Sequence, residues 1–199
     1  SVFSVNESVL IPRPETEELV EWVSKEISPD LNLEVLDLCT GSGCIGISLK
    51  KDFPNINILL SDISKDALVV ASENAKKILP DEKITIIESD LFDSFSSDHQ
   101  FDLIVSNPPY IPDAEKNTIM PDVLNFEPHL ALFLTEPIHF YKRLLSGVMK
   151  HLKEGGSFYM ETHSDWANIV SQMSNELGFK TSLIKKDLSN KERFVKVTK

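Results

Sequence analysis

Val35-Leu36-Asp37-Leu38-Cys39-Thr40-Gly41-Ser42-Gly43-Cys44-Ile45 reads as a buried strand, a turn of small residues and the opening of a helix. The apolar run from Val35 to Leu38 has the length of a strand, and Gly41 and Gly43 break it. Small residues let the backbone approach a ligand closely, and the N-terminus of the next helix favours acceptors and negative charge. A dinucleotide enzyme would carry G-x-G-x-x-G here, with a pyrophosphate on that helix. In this chain Cys39 stands in the first glycine's place and Gly46 fits only the last. The stretch therefore fixes a strand-turn-helix unit without fixing its ligand.

Working outward, the same punctuation repeats. Leu10-Ile11-Pro12-Arg13-Pro14 is stiff and extended, and a helix is expected from Glu15 or Thr16 to about Ile27, before Pro29. After the turn, a helix from Cys44 to Lys51 leads to a strand from Ile56 to Leu60, closed by Ser61-Asp62. A helix from Lys65 to Ile78 has Ser64 as its N-cap. Strands are expected from Ile84 to Ile87 and from Phe101 to Val105. Positions 111–136, with Pro112, Pro121 and Pro128, read as polar and loop-rich, and a helix follows from Pro137 to Leu152. Gly155-Gly156 reads as a turn into a strand from Ser157 to Glu161. A helix from Trp166 stops at Gly178, and the last strands run from Thr181 to Lys185 and from Phe194 to Val197. Strands alternating with helices predict an α/β fold: a mainly parallel sheet covered on both faces.

The bulk numbers narrow the function classes. With 199 residues the chain has room for one domain with a sizeable core. A net charge of −11 argues against general nucleic-acid affinity, which rests on Lys and Arg neutralising phosphates. No apolar stretch approaches the roughly 18 residues of a membrane span. Cys39 and Cys44 lack C-x-x-C spacing, which points to a reducing compartment rather than a disulfide scaffold or zinc site. The histidines at 99, 129, 139, 151 and 163 show no H-x-x-x-H or H-E-x-x-H spacing, so no metal site is expected.

The strand ends carry the chemistry. Asp62 is placed to accept both hydroxyls of a ribose. Asp90-Leu91 suits an adenine, Asp90 taking the exocyclic amine and Leu91 packing on the ring. Together they describe a nucleoside pocket along the carboxyl edge of a parallel sheet. Beside it, Phe101-Asp102-Leu103-Ile104-Val105-Ser106 stops at Asn107-Pro108-Pro109-Tyr110. Two prolines fix φ and donate no hydrogen bond, so this corner is rigid. It offers one amide side chain, free carbonyls and one aromatic face, a grip for a planar group bearing an NH2. Glu161-Thr162-His163, after the fifth strand, is placed either to touch substrate or, as is expected, to form a solvated loop, and Trp22 and Trp166 read as core.

With these residues assembled, the chain resembles the class I S-adenosylmethionine-dependent methyltransferases. More narrowly it resembles the HemK/PrmC family, the protein-(glutamine-N5) methyltransferases of peptide chain release factors. The likeness lies in Val9-Leu10-Ile11-Pro12-Arg13-Pro14-Glu15-Thr16-Glu17, Asp37 to Ile45, Asp62-Ile63-Ser64, Ser89-Asp90-Leu91-Phe92 and Asn107-Pro108-Pro109-Tyr110. Glu127-Pro128 with Ala131-Leu132, and Asp187 with Arg193-Phe194, extend it to the end of the chain. Cys39 departs from the glycine common in release-factor enzymes. A related ribosomal-protein glutamine methyltransferase has a similar Cys-Thr-Gly-Ser-Gly-Cys run, whereas the Arg-Pro-Glu-Thr-Glu segment and the Asp…Arg ending favour the release-factor branch.

The resemblance implies a Rossmann-like, seven-stranded, mostly parallel sheet with an antiparallel last strand. It implies an opening segment and helix over 1–32 and a methyltransferase domain over 33–199, the family's N-terminal helical substrate domain being absent. It implies S-adenosylmethionine as cofactor, S-adenosylhomocysteine as product, and Thr16, Asp37, Cys39, Thr40, Gly41, Ser42, Gly43, Asp62, Ile63, Asp90, Leu91 and Asn107 as cofactor-binding residues. Asn107, Pro108 and Tyr110 are implied as catalytic, and with Pro109 as substrate-binding. The implied partner is a release factor carrying a GGQ glutamine, and the setting a monomer in the bacterial cytoplasm with no membrane or direct nucleic-acid contact. The alternatives are a glutamine of a ribosomal protein and, since the same tetrapeptide serves adenine methylation, a base flipped from nucleic acid. The last wants a basic face or a recognition domain, which −11 disfavours.

Overall fold

The computed structural model describes residues 1–199. Helix α1 (Pro14–Glu26) opens with Pro14 in its first turn, where the missing N–H costs no hydrogen bond. Strand β1 (Glu34–Leu38) feeds α2 (Cys44–Asp52) through Gly43, whose φ of 81° is left-handed. Strand β2 (Asn57–Asp62) feeds α3 (Lys65–Ile78), capped by the Ser64 hydroxyl, which accepts from the Ala67 N–H at 3.2 Å. Strands β3 (Thr85–Glu88) and β4 (Phe101–Ser106) follow.

The segment after β4 is not the loop that its prolines suggest. It folds as β5 (Ile111–Pro112), a 3₁₀ turn (Asp113–Thr118), α4 (Pro121–Phe126), α5 (His129–Leu132) and β6 (Phe133–Leu134). Pro112, Pro121 and Pro128 each stand at the start of a helical piece, the position that tolerates proline best. The prolines here start structure rather than break it. Strands β5 and β6 pair in parallel, tying the ends of the segment together.

Helix α6 (Pro137–His151), strand β7 (Leu152–Glu161), helix α7 (Ala167–Glu176) and strands β8 (Thr181–Lys186) and β9 (Glu192–Thr198) complete the chain. Gly155-Gly156 does not precede the strand; it lies inside β7, whose register against β4 is irregular between Phe101 and Leu103. There the Gly155 N–H donates to the Lys199 carbonyl at 2.9 Å, so the irregularity is still paired.

The strand order is β3-β2-β1-β4-β7-β9-β8, with β9 antiparallel to both neighbours and every other pairing parallel. This is the expected seven-stranded α/β sheet with an antiparallel last strand. Successive strand residues enter opposite cores. Val35, Ile58, Leu60, Leu103 and Val105 pack with α1, α2 and α3. Leu36, Leu38, Leu59, Ile104 and Phe158 pack with α6 and α7. With both faces covered, only the strand ends remain for a ligand.

Candidate active site

The carboxyl ends of β1, β2, β3 and β4 converge on a cavity of about 250 Å³, walled on the other side by the opening segment and residues 128–134. It lies where the strand order reverses, β1 having β2 on one side and β4 on the other. Its charged lining residues are Asp62 and Asp90, and no Lys, Arg or His lines it. Such a wall repels phosphate and suits a ligand carrying positive charge.

The turn that opens the site is held from behind. Asp37 is fully buried; its Oδ2 accepts from the Thr40 hydroxyl at 2.6 Å and the Gly46 N–H at 2.8 Å. A Cβ on Gly46 would stand 2.4 Å from Leu60 and 2.9 Å from Asp37 Oδ2, so only glycine lets α2 approach this closely. Burial pushes the Asp37 carboxyl up to about 7. Cys39, Thr40, Gly41 and Ser42 line the cavity, whereas Asp37 and Gly43 do not. Asp37 therefore reaches a ligand only through the turn it braces. Cys39 holds φ at 59°, a left-handed conformation that glycine adopts freely and cysteine does not.

Asp62 lines the cavity with both oxygens oriented. Oδ2 accepts from the Gly41 N–H and Oδ1 from the Ser64 N–H, each at 2.9 Å. Each oxygen keeps a lone pair, so the carboxylate offers two fixed acceptors, the pattern a vicinal diol requires. Ile63, Asp90 and Leu91 also line the cavity. Asp90 Oδ2 is paired with Arg143 at 3.0 Å on a half-exposed rim, which leaves its other oxygen for a ligand. Leu91 is buried with φ at 49°.

Asn107 and Pro109 line the cavity beside the turn; Pro108 is buried behind them and Tyr110 stands back from the wall. The Asn107 NH2 donates to the Thr16 hydroxyl at 3.0 Å, and its Oδ1 has no partner. The Thr16 hydroxyl in turn donates to Glu161 Oε2 at 2.9 Å, and the Tyr110 hydroxyl to Oε1 at 3.1 Å. Thr16, expected at the cofactor, lines the cavity but has its one proton committed to Glu161.

Glu161 corrects the reading of a solvated loop: it is 1% exposed. Burial raises its pKa, against the two hydroxyl donors and Arg193. Arg193 is itself paired with Asp187 at 2.9 Å. Strand β9 fixes the position, pairing Phe194 with Glu161. The available signal was its place: like Asp62 and Asn107, it closes an apolar run at a strand end. Asn74 carried no such signal. It sits fully buried on α3 and donates to the carbonyls of Ser4 and Ser42, both at 2.9 Å, tying the opening segment to the turn.

Residues 15–125 match the methyltransferase small domain family. The chain is 52% identical to a release factor glutamine methyltransferase of Leptospira interrogans, over all of this chain and 70% of that protein. It is 42% identical to a protein of the same name from Flavobacterium psychrophilum, over 98% of this chain and 70% of that one. Among solved structures, the hMettl16 catalytic domain in complex with a MAT2A 3′UTR hairpin superposes with a TM-score of 0.77 at 14% identity, over 98% of this chain and 74% of that one. A ribosomal protein L11 methylase from Lactobacillus delbrueckii subsp. bulgaricus gives 0.66 at 20% identity, over 93% and 78%. At such identities the two structures speak for the fold alone.

Proposed function

The chain belongs to the release factor glutamine methyltransferases, and from that membership we propose how its residues carry out the methyl transfer. The protein is an S-adenosylmethionine-dependent methyltransferase that acts on a glutamine of peptide chain release factors. The observation that carries the assignment of roles is Asn107. Its NH2 is anchored to Thr16 and its buried oxygen is left without a donor, in a side chain that lines an acid-walled cavity.

The residues fit the cofactor by the chemistry of their donors and acceptors. S-adenosylmethionine, when bound, supplies an electrophilic methyl group on a sulfonium centre. Asp62 would accept the ribose hydroxyls, and Gly41 and Ser42 would let the backbone approach. Leu91 would pack on the adenine, with Asp90 at its amine. The absence of cationic side chains from the wall suits the sulfonium charge and disfavours a pyrophosphate.

A glutamine amide nitrogen is a poor nucleophile because its lone pair is delocalised into the carbonyl. Asn107 Oδ1, with the Pro108 carbonyl beside it, would accept from its NH2 and orient the nitrogen for the transfer. The same acceptors stabilise positive charge growing on nitrogen in the transition state. Pro108 and Pro109 keep the corner from yielding. Tyr110, behind the wall, steadies the corner through its hydrogen bond to Glu161, and the surplus proton leaves late, to water. We place the target glutamine in the GGQ motif.

Two substitutions test these roles. Asn107→Ala should lower kcat by about 100- to 1,000-fold, the usual loss for one transition-state hydrogen-bonding group, with S-adenosylhomocysteine affinity unchanged by calorimetry. Near-normal turnover would refute its role. Asp62→Ala should weaken that affinity by at least about 10-fold, the equivalent of one charge-assisted hydrogen bond. Unchanged affinity would remove Asp62 from the ribose.

A further inference from the structure

The Asn107 amide has two orientations that differ by a flip, and only one offers its oxygen to a substrate NH2. We propose that Glu161 is a positioning residue that, acting through Thr16, decides which way this amide faces. The inference rests on the functional reading above and names what prepares its central residue.

Glu161 Oε2 takes a proton from Thr16, and Oε1 takes one from Tyr110. A carboxylate receiving two hydroxyl protons is an acceptor only. Thr16 has a single proton, so towards Asn107 it presents only lone pairs. Against lone pairs the amide must present its NH2, as it does at 3.0 Å. The oxygen is then the end left free. With the amide flipped, oxygen would face oxygen and the buried NH2 would lack an acceptor, a loss of a hydrogen bond and a gain of repulsion. Thr16 and Glu161 are 4% and 1% exposed, and Glu161 does not line the cavity, so the far end of the relay is closed to water.

The relay joins parts of the chain far apart in sequence. Thr16 is in the first turn of α1, Asn107 follows β4 and Glu161 ends β7. Tyr110 shares the carboxylate, so one group sets both the amide and the ring of the tetrapeptide. This gives Thr16 of the opening motif a task on the acceptor side of the reaction.

Thr16→Val keeps the shape and removes the hydroxyl; Thr16→Ser keeps the hydroxyl. In methylation of an intact release factor, Thr16→Val should lower kcat by about 10- to 100-fold, the scale of one misplaced positioning contact. KM for the release factor and S-adenosylhomocysteine affinity should stay within about twofold, below the change that a lost hydrogen bond makes. Thr16→Ser should restore most of kcat. Without any ligand, the Asn107 side-chain NH2 signals in a nitrogen–proton correlation spectrum should shift and lose exchange protection in Thr16→Val and recover in Thr16→Ser. Glu161→Gln should lower kcat as well, since its own NH2 disturbs the proton order. Undiminished kcat in Thr16→Val, failure of serine to rescue, or unmoved NH2 signals would overturn the proposal. If instead wild type methylates no glutamine, the functional reading fails, while the NH2 signals still report on the relay.

Discussion

Asp37 and Cys39 lie two residues apart, and each shows what the site demands of single residues. Burial holds the Asp37 pKa at about 7, against 3.8 for an ordinary aspartate. Between those values the folded state binds more protons than the unfolded state, so this group makes stability fall as pH rises from about 4 to 7. The difference is worth up to about 4 kcal/mol at 1.36 kcal/mol per pH unit. Asp37→Asn should remove that slope, as urea unfolding of both proteins at several pH values would show; parallel slopes would contradict it. Cys39 occupies left-handed backbone, φ 59°, that a β-branched residue resists more strongly still. Cys39→Val should destabilise by about 2 kcal/mol, and an unchanged unfolding midpoint would count against strain at this turn. The acids and Asn107 were legible in the sequence because each ends an apolar run. The strain at Cys39 was not, since a substituted glycine reveals its φ only in three dimensions.

At the scale of elements, α6 shows packing overriding propensity. A Cβ on Gly147 would stand 2.2 Å from Cδ2 of Phe92. The Phe92 ring does not give way readily: it stacks on His151, with centroids 5.0 Å apart and planes 6° apart. Alanine is the better helix former by about 1 kcal/mol, but forcing volume into a packed core costs about 1–3 kcal/mol. Gly147→Ala should therefore lower the melting temperature, and a rise would show that Phe92 moves freely. Strands such as β1 and helices such as α3 were legible because period and caps agree along their length. The segment holding α4 and α5 was not, because its helical pieces are one or two turns long, too short to display a period.

At the scale of the molecule, the site is assembled from both ends of the chain. Arg13 pairs with Glu127 at 2.5 Å, and the Glu127 side chain is only 4% exposed. This joins the opening segment to the segment that walls the cavity. Removing Arg13 leaves a buried carboxylate without its partner, a loss of about 3 kcal/mol when one member of such a pair is deleted. Arg13→Ala should speed hydrogen exchange across residues 121–134 while leaving β1 and β4 protected; uniform acceleration would mean the pair stabilises the whole fold instead. The α/β order and the cavity's place at the carboxyl edge of the sheet followed from the alternation along the sequence and the acids that end its strands; the strand order did not. The Thr16–Glu161 contact did not, because 145 residues separate its partners and neither marks the other.

The central claim is that Asn107 presents a release-factor glutamine for methylation. Mass spectrometry of the GGQ peptide, after incubating an intact release factor with S-adenosylmethionine and the protein, tests it most directly. Wild type should add one methyl group to that glutamine, and Asn107→Ala should do so at least about 100-fold more slowly. A glutamine left unmodified by wild type, or methylated as fully by Asn107→Ala, would contradict it.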